Sequence, residues 1–299
     1  MQLSLTAREK IFAAGLIMPG FFFVAVFAVY PIIYSVYLSL HKIILGLPAL
    51  GQPFVWFENY RALLSDRVAL HALSNTFLFV FISTFFEILF GLIIALVINR
   101  HFRGRGVVRA AVLIPWAIPT VVSSQMWRFI FNDKYGLINY MLYGADISNY
   151  KAWLADPFWA FVSIVVADVW KTSSFAGLLI LAGLQTIPDE LYEAARIDGA
   201  NAWQQFRKIT LPLIKPALLI ALLFRTMDAF RVFDLVYVMT QGGPADSTNV
   251  LQFYGYKKIF AEGMMGYGST ISVMVFFITL IIAIFYIRTL GTKLFKESV

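Results

Sequence analysis

The sequence contains no cysteine, only three histidines and few charged residues, and each shortage excludes a class of function. Without cysteine the chain cannot form disulfides, thiolate nucleophiles or cysteine-based metal sites. His41, His71 and His101 lie too far apart in the sequence to predict a metal site. No short run rich in lysine and arginine is present either, so the net charge of +7 does not indicate a nucleic-acid partner.

Motifs for nucleotide binding and catalysis are also missing. The chain has no Gly-x-x-x-x-Gly-Lys-Ser/Thr sequence with which to bind the phosphates of ATP. No catalytic triad, metal cluster or Cys/His pair supports a membrane enzyme. We therefore predict a protein that is not an enzyme and that binds no cofactor or metal of its own.

The residues that are abundant are apolar. Hydrophobic residues make up 60% of the chain and charged residues 14%, and 29 positions are phenylalanine. A chain folded in water needs a polar exterior, so this composition predicts a lipid environment. A helix needs about 20 apolar residues to cross a membrane, and runs of this length favour helices over barrel strands. The sequence predicts an all-α integral membrane protein with a single transmembrane domain over residues 1–299 and six transmembrane helices at about 11–40, 75–98, 110–131, 158–184, 216–239 and 267–290.

The distribution of lysine and arginine predicts the orientation of these helices. Thirteen basic residues, from Arg8 to Lys296, lie at the two termini and in the loops after the second and fourth helices, against seven in the other loops. Basic residues collect in cytoplasmic loops, so both termini are predicted to be cytoplasmic.

Pro115 and Pro119 interrupt the third predicted helix. Each proline removes a helix hydrogen bond, which a membrane tolerates only where protein or a wet cavity satisfies the freed carbonyl groups. Two interpretations stay open: a kink used for helix packing, and the wall of a cavity.

Residues 187–216 are too polar to span a membrane and predict two short helices. Pro188 suits a helix start, and Gly199 is a natural C-terminal stop. Asn201 can cap a second helix, which Pro212 is expected to end.

The same segment carries a recognisable pattern. Glu193-Ala194-Ala195 is followed by Gly199 and, after nine further residues, by Ile209-Thr210-Leu211-Pro212. This pattern resembles the EAA loop of ABC importer permeases. The resemblance implies a coupling helix that docks on a cytoplasmic ATPase through Glu193, Ala194, Ala195, Asp198, Gly199, Phe206 and Pro212. A loop lying on the membrane surface is the alternative, but such helices are usually basic and this one is acidic.

Other segments narrow the resemblance to the maltose/trehalose/glycerol-phosphate branch, and within it to the large maltose-permease subunit type. They are Tyr30-Pro31-Ile32, Glu58-Asn59-Tyr60 and Thr240-Gln241-Gly242-Gly243-Pro244. The resemblance implies the type I ABC importer fold and half of the path in an ATP-driven uptake system for a sugar such as trehalose or maltose. It also implies a prokaryotic cytoplasmic membrane and three partners: a second homologous permease, two ATPase copies and an extracytoplasmic sugar-binding protein.

Polar residues inside the predicted helices are costly and mark functional sites. The fourth helix places four candidates on one face by their spacing: Asp168, Lys171, Thr172 and Phe175. A carboxylate can accept hydrogen bonds from sugar hydroxyls, and an aromatic ring can cover the apolar face of a sugar. An Asp168–Lys171 ion pair that only neutralises charge is the alternative.

In the fifth helix Asp228 has Arg225 and Arg231 three residues away on either side, so local pairing is again the alternative to sugar binding. In the resembling maltose permeases, sugar-contacting positions align with seven residues of this chain: Trp116, Thr120, Asp168, Lys171, Thr172, Phe175 and Asp228. Several residue types differ there, so the resemblance does not fix the sugar. Glu87, in the second helix, has no partner that the sequence identifies.

A secondary transporter driven by an ion gradient is the competing transport hypothesis. It predicts inverted repeats with paired broken helices, and the sequence shows neither.

Overall fold

The computed structural model describes residues 7–47, 49 and 51–294, and in this part of the chain the structure is helical without strands. Lys296 lies outside the described residues. In chain order the α-helices are α1 Ala7–Val24, α2 Tyr30–Ser39, α3 Glu58–Ser65, α4 Arg67–Asn99, α5 Arg105–Ala117, α6 Thr120–Ile130, α7 Leu137–Tyr143, α8 Pro157–Leu184, α9 Asp189–Ile197, α10 Ala202–Gln205, α11 Leu211–Leu213, α12 Lys215–Ala229, α13 Asp234–Met239, α14 Leu251–Tyr256 and α15 Met265–Leu294.

Four stretches of helix are long and apolar enough to cross a membrane singly: Phe12–Ser39, Arg67–Asn99, Pro157–Leu184 and Met265–Thr289. Two further pairs of helices qualify if each bent pair counts as one span. They are Arg105–Ala117 with Thr120–Ile130, bent by 90°, and Ala202–Leu213 with Lys215–Ala229, bent by 64°. The all-helical prediction is confirmed. The count of six spans stays a prediction, since four to six satisfy length and composition.

The chain forms two compact units. The first contains the described residues up to Ser65 together with Gly255–Met274. In it, the Asn59 side-chain amide donates to the carbonyls of Ser39 and His41 at 2.8 and 3.0 Å, and the Ser39 and Tyr60 hydroxyls lie 2.8 Å apart. Asn59 and Tyr60 therefore anchor α3 to the end of α2.

The second unit contains Asp66–Tyr254 and the described residues from Val275 onward. Its central contact is between α4 and α8, which approach closely at small residues. A Cβ atom placed on Gly91 would lie 2.8 Å from the Ala176 Cβ and 2.9 Å from the backbone nitrogen of Gly177. Glycine at this position is what permits the short distance between the two backbones.

A hydrophobic cluster joins the ends of α4 and α8 to the start of α12. Its buried members are Ala95, Ile98, Ile180, Leu181, Leu184, Ile187, Ile214 and Ala221. Tyr192 and Ile209, from the polar segment 187–216, pack against this cluster. The segment is therefore fixed to the helix ends on both of its sides.

Two local expectations are wrong in detail. Pro212 does not end the second short helix, because a π-helical turn at Phe206–Thr210 leads directly into α11. Pro212 occupies the first turn of α11. The fifth predicted helix is not continuous either, since α12 ends at Ala229 and helix resumes only at Asp234.

Candidate substrate site and coupling loop

The break between α5 and α6 exposes backbone carbonyls that one lysine satisfies. α5 ends at Ala117 and α6 begins at Thr120, as the two prolines predict. The Lys171 ammonium, on α8, donates to the carbonyl oxygen of Ile118 at 2.6 Å and to that of Trp116 at 3.1 Å. Carbonyls at the end of a helix lack intrahelical donors, so Lys171 supplies the hydrogen bonds that the break removes.

A cavity of about 250 Å³ lies beside this break. Its walls come from the α5–α6 break, from α8 and from the chain between α12 and α13. The lining residues are Trp116, Thr120, Asp168, Lys171, Thr172, Arg225, Asp228, Ala229, Arg231, Val232, Phe233, Asp234 and Leu235. Six of the seven residues predicted to contact a sugar line this one cavity, so the broken helix forms a cavity wall.

Phe175, the seventh residue, stands next to the cavity and extends its aromatic wall. Its ring stacks on that of Trp116, with 5.4 Å between ring centroids and 15° between planes. Trp116 is 47% exposed and lines the cavity. Stacked rings of this kind match the apolar face of a sugar.

Arg225 is the centre of the charge network at the cavity. Its Nε and Nη2 atoms donate to the two carboxylate oxygens of Glu87 at 2.6 and 3.1 Å. Its Nη1 atom donates to Asp228 at 2.9 Å, and its Nη2 atom lies 3.7 Å from Asp168 Oδ2. Arg225 and Glu87 are buried, whereas the Asp228 side chain is 59% exposed.

Local ion pairing was the alternative to sugar binding for both Asp168 and Asp228, and the two residues differ in this respect. Among the described residues Asp168 forms no ion pair with Lys171 within 4.0 Å; the cation within that distance of Asp168 is Arg225. Asp168 Oδ2 is buried and accepts no hydrogen bond within the described structure. Asp228 does pair locally, with Arg225 on one side and with Arg231 at 3.2 Å on the other.

Sequence reasoning missed part of this site. It assigned no partner to Glu87, which lies 138 residues before Arg225 in the chain. It also did not anticipate that the interruption after Ala229 would bring Phe233 and Asp234 to the cavity. Neither feature has a local signal, since residues 225–234 contain no glycine or proline.

The predicted coupling loop has the local structure expected from its sequence. Pro188 precedes α9, which begins with the acidic residues Asp189 and Glu190 and ends at Ile197. Gly199 adopts a left-handed conformation with φ of +77°, and the N–H of Ala200 donates to the carbonyl of Ala195 at 2.8 Å. A glycine is favoured at this position because side chains strain the left-handed region.

The second short helix of the loop begins with a capping box, in which two side chains accept hydrogen bonds from backbone N–H groups. The Asn201 side chain accepts from the backbone N–H of Gln204, and the Gln204 side chain accepts from that of Asn201, at 2.9 and 2.8 Å. The Tyr192 and Thr210 hydroxyls, 2.9 Å apart, then link the two short helices. Their relative angle is therefore fixed by side-chain contacts.

The exposed surface of this loop is both acidic and apolar. Glu193, Ala194 and Asp198 are exposed. Ile197 is 87% exposed and Trp203 is 67% exposed. Among the other residues predicted to contact a partner, Ala195 and Phe206 are half-buried, and Gly199 and Pro212 are exposed. The roles of these residues stay predictions.

A larger groove of about 1200 Å³ runs between α4 and α8, and none of the predicted substrate residues lines it. Two of its polar side chains are already engaged, because Asn75 donates to the carbonyls of Asp246 and Asn249 and Ser173 donates to that of Val169. The smaller cavity therefore offers a better match to the hydroxyls of a sugar.

Comparisons with known proteins agree over most of the chain. The sequence profile of the family "Binding-protein-dependent transport system inner membrane component" matches residues 87–291. The chain is 43% identical to the trehalose/maltose transport system permease protein of Thermococcus litoralis, with 94% of each chain covered. It is 38% identical to the sulfoquinovosyl glycerol transport system permease protein of Agrobacterium fabrum, covering 95% of this chain and 92% of that one. It is also similar to the crystal structure of a bacterial ABC transporter involved in the import of the acidic polysaccharide alginate, with a TM-score of 0.81, 23% identity and 96% of both chains covered.

Proposed function

Because this chain belongs to the family of binding-protein-dependent transport system inner membrane components, we propose that it is the membrane-spanning subunit of an ATP-driven sugar importer. The family confirms the resemblance predicted from the sequence. Its members are transporter components, so this chain is a multi-pass membrane transport subunit and not an enzyme.

The observation that carries the proposal is the cavity beside the broken helix. Asp168, Thr172 and Asp228 offer hydrogen-bonding groups to hydroxyls, and the stacked Trp116–Phe175 pair offers an apolar surface. A sugar needs both kinds of contact. The names of two relatives contain sugars or sugar derivatives, and the higher identity belongs to the trehalose/maltose protein. The proposed substrate is therefore a disaccharide such as trehalose or maltose.

We place the chain in the cytoplasmic membrane of a prokaryote as one permease domain over residues 1–299. The four continuous spans, the bent pair of α5 and α6, and a span that begins with α12 after the loop make six, and an even number places both termini on the same side. The excess of basic residues in the terminal regions makes that side the cytoplasm.

The loop at residues 187–216 is proposed to dock on the ATPase. Its exposed acidic and apolar groups, including Glu193 and Ile197, suit contact with a protein better than contact with a membrane surface. The chain would form half of the path, alongside a second homologous permease, two ATPase copies that bind ATP and Mg²⁺, and an extracytoplasmic sugar-binding protein. The chain itself would bind no cofactor.

Reconstitution tests this assignment. The complex is purified through this chain, its subunits are counted, and uptake of labelled trehalose and maltose into proteoliposomes is measured with the binding protein added. Asp168→Asn should reduce uptake by about 10²-fold, because a site built to accept hydroxyl hydrogen bonds loses much of its discrimination. Asp133→Asn makes the same change at an exposed position away from the cavity and should transport normally.

Two results would contradict the proposal. One is wild-type uptake by Asp168→Asn, which would mean that the cavity does not bind the transported sugar. The other is a fully active complex that contains two copies of this chain and no second permease.

A further inference from the structure

We propose that Glu87 and Arg225 are positioning residues that fix the carboxylates facing the sugar; this inference rests on the proposed function of the cavity. Arg225 binds both oxygens of the Glu87 carboxylate through two of its nitrogens, at 2.6 and 3.1 Å. A guanidinium held at two points has a defined plane and cannot rotate without breaking both hydrogen bonds. Glu87 therefore determines where Arg225 directs its remaining N–H groups.

Those remaining groups point towards the two cavity carboxylates. Arg225 Nη1 donates to Asp228 at 2.9 Å, and Nη2 lies 3.7 Å from Asp168 Oδ2. Asp168 belongs to α8 and Asp228 to α12, so one guanidinium sets the distance between carboxylates from two helices. Glu87 is fully buried and is not among the residues that line the cavity. It would act on the sugar only through Arg225.

The test separates positioning from simple charge neutralisation. Uptake of labelled trehalose or maltose is measured in proteoliposomes containing the assembled transporter, with KM and kcat determined separately. Arg225→Lys keeps the buried positive charge but lacks the planar fork of arginine, so we expect KM to rise about tenfold or more. The double variant Glu87→Gln/Arg225→Gln removes both charges of the buried pair together, and the same rise in KM is expected.

Glu262→Gln is the matched control, because it makes the same change at a residue outside the cavity network. Glu262 forms an ion pair with Lys258 at 2.6 Å, and its side chain is 41% exposed. Glu262→Gln should leave KM unchanged, since exposed ion pairs contribute little.

Wild-type KM values in Arg225→Lys and in the double variant would overturn the proposal, because the pair would then only balance charge. If the double variant does not assemble, Arg225→Lys decides alone, since it retains the buried charge. Asp168→Asn is measured alongside. An unchanged KM in that variant would mean that the cavity is not the sugar site, and both proposals would fail.

Discussion

The charge network around Arg225 and the loop at residues 187–216 both contain several carboxylates, but they are stabilised in opposite ways. In the network, buried Glu87 receives its hydrogen bonds from a residue 138 positions later in the chain. In the loop, the bonds join near neighbours, as between Asn201 and Gln204. The loop carboxylates Glu193 and Asp198 are exposed and form no ion pair within the described structure.

This difference follows from the two surroundings. A charge inside a membrane needs a partner within the protein, because lipid offers no hydrogen bonds. A charge in a water-exposed loop needs no partner within its own chain and stays available to another protein. Buried pairing therefore indicates an internal role for Glu87 and Arg225, and exposed carboxylates are consistent with an external role for the loop.

The largest expected effect comes from removing the central cation. Arg225→Leu leaves Glu87 buried without a counter-charge, and breaking a buried ion pair in this way costs about 3–5 kcal/mol of stability. Arg231→Leu removes the same residue type at a side chain that is 61% exposed and should cost less than about 1 kcal/mol. The measurement is the thermal unfolding of the purified complex in detergent. Equal losses of stability in the two variants would mean that the burial of Arg225 adds nothing to its contribution.

A smaller effect is expected at the broken helix. Lys171→Leu leaves the carbonyls of Trp116 and Ile118 without their side-chain donor, and the loss of hydrogen bonds from a charged group costs about 1.5–3 kcal/mol. Because Lys171 is not paired with Asp168, the double variant Asp168→Asn/Lys171→Leu should be no more active than Asp168→Asn alone. Lys134→Leu, in an exposed loop, is the matched control for stability. Recovery of uptake in the double variant would indicate that the two residues form a structural pair.

The loop variant should affect stability no more than Lys171→Leu does, and its main effect should appear in coupling. Gly199→Val places a β-branched side chain at φ of +77° and costs roughly 1–3 kcal/mol of local strain. No other atom lies within 4 Å of a Cβ at this position, so the effect arises from backbone conformation and not from crowding within the chain. We expect normal assembly with a lower ratio of sugar transported to ATP hydrolysed.

Gly199→Asn provides the comparison for that variant. Asparagine tolerates the left-handed region far better than valine, so most of the coupling should be retained. Wild-type coupling in Gly199→Val would contradict the role assigned to this turn.

The sequence predicts the loop better than the charge network, for a physical reason. Helix starts, caps and left-handed glycines depend on neighbours within a few residues, so Pro188, Gly199 and Asn201 are recognisable in the sequence. The shared face of α8 follows equally from helix periodicity. The Glu87–Arg225 pair depends on the packing of α4 against α12, which no local pattern encodes. The interruption after Ala229 likewise has no glycine or proline to mark it in the sequence.

The close contact at Gly91 restricts how the second unit can move. The two backbones are in direct contact there, because a Cβ atom on Gly91 would lie 2.8 Å from the Ala176 Cβ. We expect this tightly packed pair to move as one body, so that movement that opens one side of the cavity and closes the other occurs at hinges. The two interruptions that border the cavity, between α5 and α6 and between α12 and α13, are the points at which the chain can bend while the α4–α8 pair stays a rigid frame.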